Sequence, residues 1–240
     1  MSFQPTQPQR SRGPFILAVA ALVVIIIGGI VYLNRGGRAS SAGTESATDS
    51  TNPAGSAPAA ALGPVTNGGD PVATAAVTVA GTPLATAPAK GGDPALNRPF
   101  PTLSGSNVLD GSPFSIGGQS RPMVVMYLAH WCPHCRREVP VITRWIAANG
   151  LPSDVDLLAV STGVDAKRDN YPPAEWLIKE KWPVRTLADD ETGTAFAAAG
   201  LSAFPSFVAV NEAGNVVARA SGELSVDEFE ALLAKARGES

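Results

Sequence analysis

The only two cysteines of the chain, Cys132 and Cys135, are separated by two residues. An apolar run with strand character, 123–129, precedes them, and a helical pattern, 136–148, follows them. The first sulfur is therefore expected at a helix N-terminus, where unpaired N–H groups and the helix dipole favour a thiolate. A thiolate attacks a disulfide, and Cys135 can resolve the mixed disulfide by closing a ring with Cys132. This spacing predicts a redox-active disulfide as the reactive group, with no other cofactor.

Three residues next to the sulfurs are candidates for tuning the site: Trp131, Pro133 and His134. Trp131 is expected to shield the first sulfur and to touch substrate, although a place in the core is the alternative. His134 puts a partial positive charge beside the thiolate of Cys132. That charge stabilises the reduced form and makes the disulfide easier to reduce.

Glu138 follows Cys135 by one helical turn, where a solvated surface carboxylate is the default interpretation. If Glu138 is instead partly buried near the cysteines, burial raises its pKa. A carboxylate with a raised pKa can take the proton from Cys135, which is the role of a general base. Glu138 is therefore a third candidate catalytic residue.

The pattern Trp131-Cys132-x-x-Cys135-x-x-Glu138-x-Pro140, followed by Phe204-Pro205-Ser206-Phe207, resembles the thioredoxin superfamily. More narrowly, it resembles the membrane-anchored TlpA-like or ResA-like branch, over roughly residues 95 to 237. The resemblance implies a cis Phe204-Pro205 bond against the disulfide, shaping a groove for an extended substrate, and it implies protein clients with thiols or disulfides. The Pro-His dipeptide departs from that branch and is typical of DsbA-like oxidants, so the direction of electron flow stays open.

The resemblance implies an α/β thioredoxin fold, with a mixed central sheet and helices on both faces, and residues 96–240 are predicted to form this domain. The order of predicted elements agrees with it. Strands are expected near 100–103, 113–116, 123–129, 155–161, 184–187, 206–210 and 215–220. Helices are expected over 136–148, 173–181 and 191–199, and a last helix begins at Ser225 with a capping box to Glu228.

Three segments are predicted before the domain. Residues 1–13 form a short cytoplasmic tail, and 14–33 form a charge-free stretch long enough to span a bilayer core. A cleaved signal peptide is the alternative. Residues 34–95, rich in Ala, Gly, Ser, Thr and Pro, are expected to be a flexible linker. Disulfide chemistry suits an oxidising compartment, so the redox domain is expected outside the cytoplasm. It is expected to be anchored to the cell membrane and to exchange electrons with a redox partner in that compartment.

A second class of function is a copper or zinc carrier. Both histidines of the chain, His130 and His134, lie within the same six residues as the two cysteines. Against a metal site, His134 and Cys135 are adjacent and point about 100° apart on a helix. Nucleic acid is not an expected partner, because the formal net charge is only -3 and charged residues make up 16%.

Overall fold

The structure of the protein is a computed structural model that describes residues 69–88 and 91–239. The predicted tail, 1–13, the predicted membrane span, 14–33, and the linker residues before 69 lie outside this part. Among the helices that the structure describes, none combines the length and the hydropathy needed to cross a bilayer.

The described residues form eight strands and four helices. Their order is β1 (Thr78–Ala80), β2 (Thr102–Asn107), β3 (Pro113–Ile116), β4 (Met123–Leu128), α1 (Pro133–Asn149), β5 (Asp156–Ser161), α2 (Pro173–Lys179), β6 (Thr186–Ala188), α3 (Thr194–Ala198), β7 (Ser206–Val210), β8 (Val216–Ser221) and α4 (Val226–Arg237). Each strand and helix predicted for residues 96–240 is present, with ends shifted by a few residues.

Strand β4 lies at the centre of a mixed sheet with the order β1-β2-β6-β5-β4-β7-β8, and β3 pairs with β2. It runs parallel to β5 and antiparallel to β7. Alternate β4 residues point to opposite faces. Val124, Met126 and Leu128 share a core with α1, α2 and α4, whereas Met123, Val125 and Tyr127 share a second core with α3. This confirms the predicted α/β class, a thioredoxin-like sheet covered on both faces.

Helix α1 begins directly after Cys132 because its first residue is a proline, which is tolerated where no intrahelical N–H bond is needed. Cys132 itself is extended, with φ -68° and ψ 122°. The helix ends before Gly150, whose φ of 78° suits a residue without a Cβ. Its buried residues recur at helical spacing and hold the helix on the sheet: Cys135, Glu138, Val139, Ile142 and Ile146.

Helix α4 has the predicted capping box. The Ser225 hydroxyl accepts the Glu228 N–H at 3.3 Å, and the Glu228 carboxylate accepts the Ser225 N–H at 2.8 Å. The helix buries Phe229, Leu232 and Leu233. Because the cap fixes where α4 begins, it also fixes the loop between β8 and α4, which reaches the active-site helix.

Residues 69–88 and 91–95, here called the N-terminal strap, lie against the domain. Strand β1 pairs with β2 antiparallel, Leu84 is buried, and the Leu84 N–H donates to the Ala198 carbonyl at 2.8 Å. The expectation of a flexible linker through residue 95 is therefore wrong for the strap. Composition predicted it poorly, because backbone pairing at a sheet edge needs few large apolar side chains.

Arg219, on β8, fastens the strap. Its side chain is only 3% exposed and forms an ion pair with the Asp93 carboxylate. It also donates to the carbonyls of Ala85, Ala199 and Gly200, at 3.0, 2.9 and 3.1 Å. One guanidinium thus joins two parts of the strap to the residues that follow α3.

Candidate active site

Cys132 lies at the start of α1 with its side chain nearly covered, since the residue is 6% exposed. Its N–H donates to the Ala129 carbonyl at 3.0 Å. The thiol points at the Phe204 carbonyl, with a sulfur-to-oxygen distance of 3.6 Å. The strand-to-helix junction predicted from the sequence therefore brings this sulfur next to the loop before β7, some 70 residues away in the chain.

Cys135 lies one turn deeper and is fully buried. Its sulfur accepts the Ala129 N–H at 3.5 Å. Burial raises the pKa of the Cys135 thiol, and nearby negative charge at Cys132 and Glu138 adds to the effect. Cys132 keeps a small exposed surface whereas Cys135 has none, and this difference fits the predicted attacking and resolving roles.

The Phe204-Pro205 bond is cis, as the resemblance implied. Pro205 is buried and Phe204 half-buried. The Phe204 ring meets the indole of Trp131 edge-on, with centroids 6.1 Å apart, and the Trp131 N–H donates to the Gly163 carbonyl at 2.7 Å. Trp131 is only partly buried. The structure therefore places Trp131 at the edge of the core, packed against it and still partly exposed next to Cys132.

Glu138 is buried, with 1% of its surface exposed. One carboxylate oxygen accepts the Leu224 N–H at 3.0 Å, and the other has no hydrogen-bond partner within the described residues. Burial raises the pKa of Glu138 to about 7, helped by negative charge at Glu223 and Glu228 and opposed by the Leu224 N–H. The burial on which the general-base hypothesis depends is thus present.

The raised pKa of Glu138 predicts a pH-dependent stability. Between its usual value of 4.5 and about 7, the folded protein binds one more proton than the unfolded chain. Stability should therefore fall as pH rises through this window and level off above it, by about 2 to 3 kcal/mol. Glu138→Gln should remove most of this fall, measured by urea unfolding from pH 4 to 8.

The matched control is Glu175→Gln, because Glu175 lies exposed on α2. This control should keep the slope of the unmodified protein. A Glu138→Gln variant with an unchanged slope would contradict a raised Glu138 pKa in the folded state.

His134 is exposed, as is the neighbouring Pro133. The closest hydrogen-bonding partner of the imidazole is Glu223, with Nδ1 and the carboxylate oxygen 2.5 Å apart. Arg137 donates to the same carboxylate through Nε, at 3.1 and 3.0 Å. No sequence pattern indicated Glu223, which lies 86 residues from Arg137, in the loop after β8. The charge near Cys132 therefore involves three groups and not His134 alone.

His130 is buried and its ring is fully occupied by backbone groups. Nδ1 donates to the Asp169 carbonyl at 2.7 Å, and Nε2 accepts the Asp165 N–H at 3.2 Å. Burial lowers the pKa of His130, which favours this neutral form. The histidine thus holds the loop after β5, and neither ring nitrogen is free for a metal ion.

This loop completes the wall beside Trp131, since the Arg168 guanidinium lies 4.6 Å from the centre of the indole ring. Within the part of the chain that the structure describes, no group of three His, Cys, Asp or Glu side chains is arranged to hold a metal. The geometry of His130 therefore argues against the carrier alternative. No local sequence pattern indicated its role, because its partners lie 35 and 39 residues away in the chain.

A thioredoxin-like sheet with a Cys-x-x-Cys pair at a helix N-terminus, facing a cis proline, defines a thiol-disulfide oxidoreductase of the thioredoxin-like class. Residues 95–233 match the model of the Redoxin family. The chain belongs to that family.

Two solved structures are similar over about half of the chain. MTB dsbF, in mixed oxidized and reduced forms, is 29% identical, with 55% of this chain and 93% of that chain covered and a TM-score of 0.45. A secreted Mycobacterium tuberculosis disulfide oxidoreductase homologous to E. coli DsbE is 24% identical, with 55% and 94% covered and a TM-score of 0.45.

Proposed function

We propose that the protein exchanges disulfides with protein clients through Cys132-Pro133-His134-Cys135, from a membrane-tethered position outside the cytoplasm. The observation that carries the proposal is the contrast between the two sulfurs. Cys132 lies at the surface end of α1 beside the Phe204 carbonyl, whereas Cys135 is fully buried behind it. This arrangement fits one sulfur that meets the client and a second that acts only afterwards.

In the reducing direction, the Cys132 thiolate attacks one sulfur of a client disulfide. The new bond joins Cys132 to the client, and the other client sulfur leaves as a thiolate that takes up a proton. Cys135 then attacks Cys132, which releases the second client sulfur and leaves the Cys132–Cys135 disulfide. Glu138 accepts the Cys135 proton in this step, because its pKa of about 7 makes it a suitable base near neutral pH.

In the oxidising direction the same steps run backwards, and a client dithiol leaves as a disulfide while the protein becomes a dithiol. Either direction requires a redox partner that restores the starting state. Trp131, Phe204 and Pro205 are proposed to line the client groove, because the Phe204 ring contacts Trp131 and the Phe204 carbonyl, directly before Pro205, contacts the Cys132 sulfur.

The membrane tether rests on residues 14–33, which contain no charged side chain and are long enough to cross a bilayer core. The N-terminus is proposed to be cytoplasmic. The redox domain is proposed to work in the oxidising compartment, where a Cys132–Cys135 disulfide can persist and clients carry disulfides.

The full-length protein should reduce insulin disulfides with a thiol as electron source and should oxidise a reduced, unfolded protein when supplied as the disulfide. The Cys132→Ser/Cys135→Ser double variant should do neither. In intact cells without an outer barrier, added protease should degrade the domain, and the chain should fractionate with membranes. A chain that lacks exchange in both directions would overturn the function, and a soluble, protease-protected chain would overturn the location.

A further inference from the structure

An exposed cluster of opposite charges lies at the rim of the active site. Glu223 accepts hydrogen bonds from Arg137 Nε at 3.1 and 3.0 Å, and from Arg137 Nη2 at 2.5 Å. The same carboxylate lies 2.5 Å from His134 Nδ1. One acid thus pairs with His134 and Arg137, two of the three basic residues in the first turns of α1, while the third, Arg136, lies 3.6 Å from the Asp169 carboxylate.

We propose that Glu223 is a positioning residue that sets the redox poise of the Cys132–Cys135 pair by neutralising His134 and Arg137. The inference rests on the proposed function, since poise matters only for a pair that cycles between thiols and disulfide. Glu223 lies 89 residues after His134 in the chain. The inference adds it to the residues that determine how readily the disulfide accepts electrons.

The direction of the effect follows from charge. Positive charge near the Cys132 thiolate stabilises the reduced form, and so makes the disulfide more oxidising. Arg137 interacts electrostatically with Cys132 and is hydrogen-bonded to Glu223. The carboxylate opposes the stabilisation given by Arg137 and His134, because unlike charges partly cancel at the position of the sulfur. Glu223 therefore makes the Cys132–Cys135 disulfide less oxidising than the Pro133-His134 dipeptide alone would make it.

Glu223 is held in place by the loop on which it lies. The preceding residue, Gly222, donates its N–H to the Pro205 carbonyl at 2.9 Å, and the following residue, Leu224, donates its N–H to Glu138 at 3.0 Å. Three consecutive residues thus contact the cis proline, the charged rim and the buried carboxylate. A side chain fixed on both sides can keep a defined distance from α1, as charge tuning requires.

The hydrogen bonds to Glu223 also determine the charge state of its carboxylate. Paired with Arg137 and His134, the carboxylate has a pKa lowered to about 2, so it stays charged at any pH where the protein works. Its effect on the sulfur is therefore constant across that range.

The test uses Glu223→Gln in the full-length chain, equilibrated with reduced and oxidised glutathione. Two glutathione thiols become one glutathione disulfide as the protein disulfide becomes a dithiol. The equilibrium constant for reducing the protein should rise about three- to tenfold, and a tenfold change corresponds to about 30 mV for a two-electron couple. The fraction of Cys132 thiolate at pH 7, followed by absorbance at 240 nm, should rise with it.

The matched control is Asp227→Asn, which removes an exposed negative charge from the first turn of α4. This control should shift neither readout. The Glu223→Gln effect should be clearly smaller in a His134→Gln/Arg137→Gln background, because the carboxylate then lacks the partners that hold it beside α1. A Glu223→Gln variant that leaves both readouts unchanged, or that shifts them equally in the double-variant background, overturns the inference.

The glutathione equilibrium and the absorbance at 240 nm are both measured without a protein client. Failure of the proposed function therefore gives a different result from failure of this inference. A protein that shows the glutathione shift but exchanges with no protein would overturn the function and leave the role of Glu223 standing. Thermal unfolding of each variant separates charge tuning from loss of structure, since tuning alone moves the potential without a comparable fall in Tm.

Discussion

A Cys135→Ser variant will accumulate mixed disulfides with its clients, and a Cys132→Ser variant will form none. Cys132, at the start of α1, keeps a small exposed surface, whereas Cys135 is fully buried one turn further into the helix. Without Cys135 the bond between Cys132 and the client has no resolving thiol, so the complex persists. Catalytic exchange should fall by roughly a thousandfold or more in either variant, as expected for loss of a nucleophile.

The complexes are measured by blocking free thiols in acid and separating the proteins without reductant, then again with reductant. Bands that vanish on reduction should appear for Cys135→Ser alone. The Cys132→Ser/Cys135→Ser double variant controls for non-covalent association. Trapping by Cys132→Ser and not by Cys135→Ser would reverse the two roles.

Arg219→Met will lower the free energy of unfolding by about 3 to 5 kcal/mol. Methionine nearly fills the same space but removes every hydrogen bond that the Arg219 guanidinium makes to the strap and to the residues after α3. The Asp93 carboxylate, only 20% exposed, then loses its counter-charge, and three carbonyls lose a donor. Urea unfolding measures the loss, and limited proteolysis should reveal new cleavage within residues 81–93.

Arg237→Met is the matched control, because it also breaks an arginine–aspartate pair. Arg237 and Asp154 lie near the surface, with side chains 27% and 58% exposed. Surface pairs contribute about 1 kcal/mol or less, so this variant should be nearly as stable as the unmodified protein. Equal losses in the two variants would mean that Arg219 does not fasten the strap.

Much of the reactive centre could be predicted from the sequence, because its signals are local or follow family patterns. The two cysteines, the strand before them and the helix after them lie within 30 residues. The cis Phe204-Pro205 bond followed from a resemblance that matched a distant tetrapeptide to the cysteine motif.

The missed features depend on contacts between segments far apart in the chain. Glu223 lies 89 residues from His134, and Arg219 lies 126 residues from Asp93. Nothing in the local pattern around either residue distinguishes it from an ordinary surface charge. The second cis bond, Tyr171-Pro172, carried no matching motif and was not expected.

Both edges of the sheet have few unpaired backbone N–H and C=O groups. On one side the outermost strand is β3, which has four residues and begins with Pro113, a residue that cannot donate to a neighbouring strand. On the other side, residues 97–100 cover the start of β8, where the Asn97 N–H donates to the Val216 carbonyl at 2.8 Å. Long exposed edges invite strand addition by other chains, and short or covered edges resist it. Residues 97–100 therefore leave the start of β8 with few backbone groups to which another chain could add a strand.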